Sequence, residues 1–227
     1  MTCRTILQWP DKQLSEISSP IGGSITEDVL SDITDVIDTL RASFGVGLAA
    51  PQVGIKKRIL AIDPSVAQIE NPYPQEEFPD HFVVIDPELE LTGNEFTWNE
   101  ACLSVPFLSA AVKRKPLALL KFTNLKGERV ELNLTMPLSG IIQHENDHLD
   151  GILFIDRAGR FVKEKLVKKM NKEARQRKQE DEAMRRQIIL ETQGQPGLRR
   201  YLSQKSNSKK SSRRKNSKKF GRNKKRR

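Results

Sequence analysis

Cysteine is scarce: Cys3 and Cys102 are the two in a chain of 227 residues, too few and too far apart in sequence for a disulfide framework. A reducing, cytoplasmic compartment is the matching expectation. No apolar run reaches the roughly 20 residues that a membrane-spanning helix needs, so no membrane association is expected. Residues 1–13 lack both the apolar stretch of a signal peptide and the Arg-rich, acid-poor character of a transit peptide. Asp and Glu are absent from residues 197–227, which hold 15 Lys and Arg. The whole chain has 39 basic and 29 acidic residues, which leaves residues 1–196 with 24 basic against 29 acidic, a net of −5. The net +10 of the chain therefore belongs to its C-terminal segment, and the body is mildly acidic. No internal repeat is present.

The length suits one domain with a core, plus appendages. Val29, Leu30, Ile33, Val36, Ile37 and Leu40 recur at helical spacing, with Asp28, Asp32 and Asp35 toward the other face, and predict a helix over 26–44. Thr26 suits its N-cap and Gly45 its stop. A Gly-rich turn follows over 45–54. Strand-like runs come at 58–62, 82–85, 110–113, 117–123 and 129–134, and Leu125-Lys126-Gly127 suggests a hairpin between the last two. Residues 64–80, with four prolines, read as a surface loop. A second helix is expected over 136–149, with Thr135 as cap, Pro137 in its first turn and Gly151 at its end. A third fits 159–190, where Phe161, Leu166, Val167 and Met170 offer a docking stripe and residues beyond Lys172 are mostly charged. Helix, then strands, then helices argues for an α+β fold with an antiparallel or mixed sheet. From 194 onward the composition of Gly, Ser, Asn, Lys and Arg predicts disorder.

His144-Glu145-Asn146-Asp147-His148 carries the sharpest chemistry. On a helix, positions i and i+4 share a face, so both imidazoles reach one metal, with Glu145 beside it as a base toward water. The chain has three histidines in all, and two fall at this spacing around a Glu. Two ligands do not complete a catalytic site, which normally takes three and leaves one position open. A third His after Gly151 is excluded, because Phe154 stands where it would be. Two candidates remain: Glu164 downstream, between Lys163 and Lys165, and Cys102 upstream.

Gly45-Val46-Gly47-Leu48-Ala49-Ala50-Pro51-Gln52, Glu100-Ala101-Cys102-Leu103-Ser104 and Gln143-His144-Glu145-Asn146-Asp147-His148 occur in this order and together resemble the three motifs of peptide deformylases. The resemblance extends to Ile6-Leu7-Gln8-Trp9-Pro10-Asp11 and to residues 151–157, and covers roughly 4–170. It implies that Cys102, His144 and His148 bind a metal, that Glu145 is general base and acid, and that the Gln52 side chain and the Leu103 N–H hold the oxyanion. Thiolate and imidazole ligation suits Fe(II) or Zn(II). The resemblance implies Fe(II) in the cell, with Zn(II), Ni(II) or Co(II) able to substitute. It further implies hydrolysis of the formyl group from N-formylmethionyl nascent polypeptides, releasing formate. Gly140 and Ile141 precede His144 by four and three residues on one helix face and are candidates for the wall of the methionine pocket, although Ile141 reads equally well as core. The neighbourhood of Val46 and Gly47 resembles the family's strand edge that pairs with the substrate backbone. Ala101 departs from the family's usual Gly, and its methyl would narrow the approach of substrate. The expected organisation is a catalytic domain over 1–170 built around the metal-binding helix, a charged helical extension over 171–193 and a basic tail over 194–227.

His81 is expected at the surface, Trp9 and Trp98 in the core, and Cys3 without a partner. The tail reads as an arm that binds polyanions through phosphate contacts, with ribosomal RNA as the partner that the resemblance suggests. A monomer is expected. Two other function classes fit parts of the chain. A peptidase cutting internal bonds predicts a metal site independent of Cys102, and an RNA-binding protein on a relic scaffold predicts no metal at all.

Overall fold

The apolar stripe at Val29, Ile33, Val36, Ile37 and Leu40 becomes the buried face of α1 (Glu27–Ser43). Thr26 caps it, its hydroxyl accepting from the Val29 N–H at 3.4 Å. The stop differs from expectation. Phe44, not Gly45, takes the left-handed position at φ 54°. Gly45 is small for another reason: a Cβ there would lie 2.8 Å from the Leu103 side chain. Asp35, expected on the outer face, is buried and accepts from Arg4 Nε at 2.7 Å.

These features come from a computed structural model that describes residues 3–191. The segment expected to be disordered, 194–227, lies outside the described residues. The chain divides into two units, 1–166 and 167–227. In the first, α1 is followed by β1 (Gly47–Ala49), a 3-10 turn over Ala50–Val53, β2 (Ile59–Ile62), the short α2 (Pro64–Ala67) and β3 (Phe82–Thr92). Then come β4 (Phe96–Cys102), β5 (Val105–Arg114), β6 (Leu117–Thr123), β7 (Arg129–Leu134), α3 (Leu138–Leu149), α4 (Phe154–Arg157) and α5 (Arg160–Glu191). The second unit, within the described residues, is the remainder of α5. No helix among the described residues is long and apolar enough to cross a membrane.

The strands form a five-stranded sheet in the order β1-β2-β3-β6-β7 and a separate β4-β5 hairpin, and every pairing of these strands is antiparallel. The protein is thus α+β with antiparallel sheets. The unbroken apolar runs of β2 and of the start of β3 follow from burial on both faces. Ile59, Ala61, Val83 and Ile85 pack with α1, while Leu60, Ile62, Phe82 and Val84 pack with Leu138, Ile142 and Leu149 of α3. The period-2 strand geometry separates these two sets. Helix α3 therefore lies against the centre of the sheet with its motif residues held by the core. The predicted hairpin joins β6 and β7, and Gly127 supplies its left-handed position at φ 80°. Strand β4 was not anticipated from the sequence, and β1 only through the strand edge that the resemblance implies near Gly47. Phe161, expected to dock, is 86% exposed.

His81 is buried rather than at the surface. The Pro-rich segment folds back just before β3, and Arg41 Nη2 lies 3.5 Å from Nδ1 while Asp63 Oδ2 lies 4.0 Å from Nε2. Burial, then the Arg41 charge, lower the His81 pKa from 6.5 against the opposing pull of Asp63 and Asp80. The unfolded chain takes up this proton below 6.5 and the folded chain resists it. Stability from this site is therefore complete above 6.5 and is lost as pH falls below that value. Urea unfolding between about pH 5 and pH 7 should show the loss, by at most about 1.4 kcal/mol per pH unit. His81→Gln should flatten that part of the profile, and an unchanged difference between variant and parent would remove His81 as its source.

Candidate metal centre

Two elements that are distant in sequence meet at the site. His144 and His148 lie one turn apart on α3, with ring centroids 5.1 Å apart. Cys102 ends β4, and its Sγ lies 3.2 Å from His148 Nε2. One ligand atom from each of Cys102, His144 and His148 lies within 4.8 Å of the others. The donor set fits a divalent transition metal: one thiolate and two imidazoles leave a fourth position for water or substrate. Glu164, the other candidate third ligand, instead pairs with Arg160 at 3.0 Å on a half-exposed face of α5.

Buried charges orient the ligands. Glu100 Oε2 lies 2.7 Å from His144 Nδ1. Burial alone would raise the Glu100 pKa, but hydrogen bonds from His144 and Arg114 outweigh it and hold the carboxyl at about 2. An ionised carboxylate only accepts, so Nδ1 carries the proton and Nε2 is left as the donor atom for a cation. Arg114 donates to both Glu100 oxygens at 2.5 and 2.9 Å and to Asp147 Oδ2 at 2.8 Å. Asp147 also accepts two bonds from Arg157, both at 2.5 Å. Burial opposes the charge on His144, yet Cys102 and Glu100 raise its pKa well above 6.5, so a cation held at Nε2 would displace a proton from it. For His148, burial and then the His144 charge lower the pKa well below 6.5, which favours the neutral imidazole that a ligand requires. His148 Nδ1 is buried without a hydrogen-bond partner among the described residues.

The roles of Arg114, Asp147 and Arg157 were not foreseen, nor that of Glu100 within its motif. A signal for one of them existed. Leu108, Ala110, Val112 and Arg114 alternate on the buried face of β5, and an Arg continuing an inward alternation requires a buried acidic partner.

Glu145 is buried beside the histidines, and its Oε2 has no hydrogen-bond partner among the described residues. Burial pushes its pKa up to about 7, against the pull of the His144 charge. A carboxyl that titrates near neutrality can both take and give a proton. Gly47 is what makes room for it, since a Cβ at position 47 would lie 2.6 Å from Glu145 Oε1. Gly47→Ala should therefore push the carboxylate aside. A loss of kcat on the order of 10²-fold is expected, because displacements of about 1 Å cost that much, with bound metal unchanged on analysis of the same sample. Full activity in this variant would show that the carboxylate tolerates the shift.

Gln52, in the 3-10 turn, is oriented at both ends of its amide. Its Oε1 accepts from the Ala49 N–H at 2.8 Å, and its Nε2 donates to Ser104 Oγ at 3.1 Å and lies 3.5 Å from Cys102 Sγ. The N-terminal segment ties the two loops in place, Leu7 N–H donating to the Gln52 carbonyl and Trp9 N–H to the Ser104 carbonyl at 2.7 and 2.8 Å. A cavity of about 900 Å³ opens over the cluster, and Gln52, Cys102, Leu103, His144 and Glu145 line part of it. Val46, Gly47 and Ile141 line it. Gly140 is not part of its lining, and the space a Cβ would take there is bounded by Met136 and Trp98. Trp98, expected in the core, is half-buried in the cavity wall.

Residues 3–164 match the family described as polypeptide deformylase. The peptide deformylase of Rhizorhabdus wittichii is 37% identical over 179 residues, 78% of this chain and 99% of the relative. That of Desulforudis audaxviator is 38% identical over 162 residues, 70% and 96%. Among solved structures, a peptide deformylase from Legionella pneumophila superposes with a TM-score of 0.67 at 31% identity, covering 78% of this chain and 98% of that one. A Met-Ala-Ser-bound class I type b peptide deformylase from Acinetobacter baumannii gives 0.59 at 29%, covering 69% and 98%. With the motif residues in one cluster and most of the chain aligned to such relatives, this chain belongs to the peptide deformylase family.

Proposed function

We propose that Cys102, His144 and His148 hold one divalent cation, with which Glu145 hydrolyses the N-terminal formamide of formylmethionyl polypeptides. Removal of that formyl group is the activity of the peptide deformylase family, and the chain is an enzyme of it. The observation that carries the residue assignment is the meeting of three ligand atoms within 4.8 Å beside a buried carboxylate with an unpartnered oxygen.

A cation in this site supplies Lewis acidity toward water and the formyl oxygen. The remaining work falls to the chain. Glu145 takes the proton of the attacking water and returns it to the leaving amine, so that formamide and water give formate and a free N-terminus. Gln52 Nε2 and the Leu103 N–H serve as donors to the oxyanion, a contact that contributes about 2.7–4 kcal/mol per donor in such sites. Gly47, the first residue of the strand that ends the sheet order, and Val46 just before it accept the substrate backbone by strand addition. Gly140 and Ile141 border the methionine pocket, Ile141 directly and Gly140 by leaving room for Trp98 and Met136. The mixed thiolate and imidazole set suits Fe(II) and Zn(II) alike, and the family resemblance favours Fe(II) as the cellular metal, with Zn(II), Ni(II) or Co(II) substituting.

The reading extends to a monomeric, cytoplasmic enzyme, since formylated chains emerge from ribosomes there. It assigns 1–170 to catalysis, 171–193 to a charged extension and 194–227 to a basic tail that contacts ribosomal RNA. The 15 Lys and Arg without an acidic residue over 197–227 support that last part. Formate release from formyl-Met-Ala-Ser by anaerobically purified protein, with metal measured on the same sample, tests the whole. Rapid release with about one metal per chain is expected, and a fully metallated, inactive protein would overturn the assignment. Deleting 197–227 should spare this activity while weakening salt-sensitive ribosome binding, and unchanged ribosome affinity would remove the tail's role.

A further inference from the structure

The β4-β5 hairpin contains an irregularity that the chemistry above does not use. Ala101 pairs with Ser109, yet the next residue, Cys102, pairs with Val105, so residues 106–108 are inserted between the two pairings. Such bulges bend the strand and re-aim a side chain, and they concentrate beside active sites. At its middle, Phe107 adopts φ 66°, a left-handed conformation unusual for a bulky residue. The residue is 66% exposed and lines the same cavity as Cys102 and Glu145. Single exposed apolar residues are ordinary on protein surfaces. An aromatic held in a strained backbone at the rim of a reaction cavity is not, and strain of this kind points toward function.

We infer that Phe107 is a specificity-determining residue, a platform for the side chains of the second and third substrate residues that favours aromatic ones. The inference rests on the deformylase reading and adds a preference to it. Two further observations support that occupant. The cavity, about 900 Å³, lies near the upper end of the 300–1,000 Å³ range of pockets that enclose whole drug-sized ligands, more room than a formylated methionine uses. Its lining also includes Gly45, Val46 and Gly47, at the start of β1, which ends the sheet order. A substrate strand added to β1 would lie in the cavity that Phe107 also lines, beside the metal donors.

The test compares metal-loaded, full-length protein with Phe107→Gly and Phe107→Tyr on formyl-Met-Ala-Ser, formyl-Met-Phe-Ser and formyl-Met-Ala-Phe. Glycine accepts a positive φ without strain, so the variant keeps the hairpin geometry while losing the ring. In the parent, kcat/KM for the better aromatic substrate should exceed that for formyl-Met-Ala-Ser by about tenfold, equivalent to about 1.4 kcal/mol. Phe107→Gly should bring that ratio to within about twofold of unity, and Phe107→Tyr should keep it. Dissociation constants of the unformylated products should follow the same ratios, a readout that needs no turnover. A ratio unchanged in Phe107→Gly, or absent in the parent, overturns the inference while leaving the deformylase reading in place. No formate from any of the peptides overturns both.

Discussion

Glu145→Gln is expected to lower kcat on formyl-Met-Ala-Ser by about 10²–10⁴-fold, the range that a positioned general base contributes, without loss of bound metal. The substitution keeps shape and volume and removes only the capacity to take a proton. Glu145 is buried, with Oε1 close over Gly47 and Oε2 unpartnered among the described residues. No neighbouring carboxylate stands in the same place: Glu100 is bound to Arg114 and His144, and Asp147 to Arg114 and Arg157. KM should change little, because the lost interaction belongs to the transition state. Metal analysis of the variant separates a missing base from a damaged site. A metallated variant with near-parental kcat would move the proton-transfer role to another group.

Arg114→Met should have the largest effect on stability. Arg114, Glu100 and Asp147 are all nearly excluded from solvent, with side-chain exposures of 3, 2 and 6%. Removing one member of such a buried ion network leaves uncompensated charge and typically costs about 3–5 kcal/mol, a large part of the roughly 5–15 kcal/mol that holds a domain together. Chemical denaturation of metal-free protein measures the loss. The same substitution should weaken metal affinity by about 10–100-fold, because Glu100 then no longer holds His144 in a fixed orientation. The double variant Glu100→Gln/Arg114→Met should be less destabilised than the sum of the single changes, since each charge removed relieves the other. Strict additivity would mean that the two residues act independently. Arg157 continues to pair with Asp147 in either background, which limits the damage to the Glu100 side.

Much of the scaffold was written in local pattern. The 3.6-residue stripe of α1, the apolar runs of β2 and β3, the β6-β7 hairpin with Gly127 and the i, i+4 histidines of α3 each follow from contacts within a few residues. Local contacts leave periodic marks in sequence. The His144 and His148 pair and the motif around Cys102 were legible for the same reason, and the family resemblance joined them.

What local pattern omits is decided by contacts between distant segments. His81 follows four prolines in a stretch that reads as surface, yet it is buried because Arg41 of α1 and Asp63 close over it. Strand β4 alternates in burial, but its inner positions are Phe96, Trp98, Glu100 and Cys102, and a buried Glu that serves the metal site breaks the apolar alternation by which a strand is read. The room that Gly47 leaves for Glu145 and the Glu100–Arg114–Asp147–Arg157 network join groups separated by 10 to 98 positions. Such arrangements depend on loop closure and packing in three dimensions, and residue order carries no period that reports them. The chain thus declares its chemistry in three short motifs, while the orientation of each ligand and the shape of the substrate groove arise where those motifs are brought together.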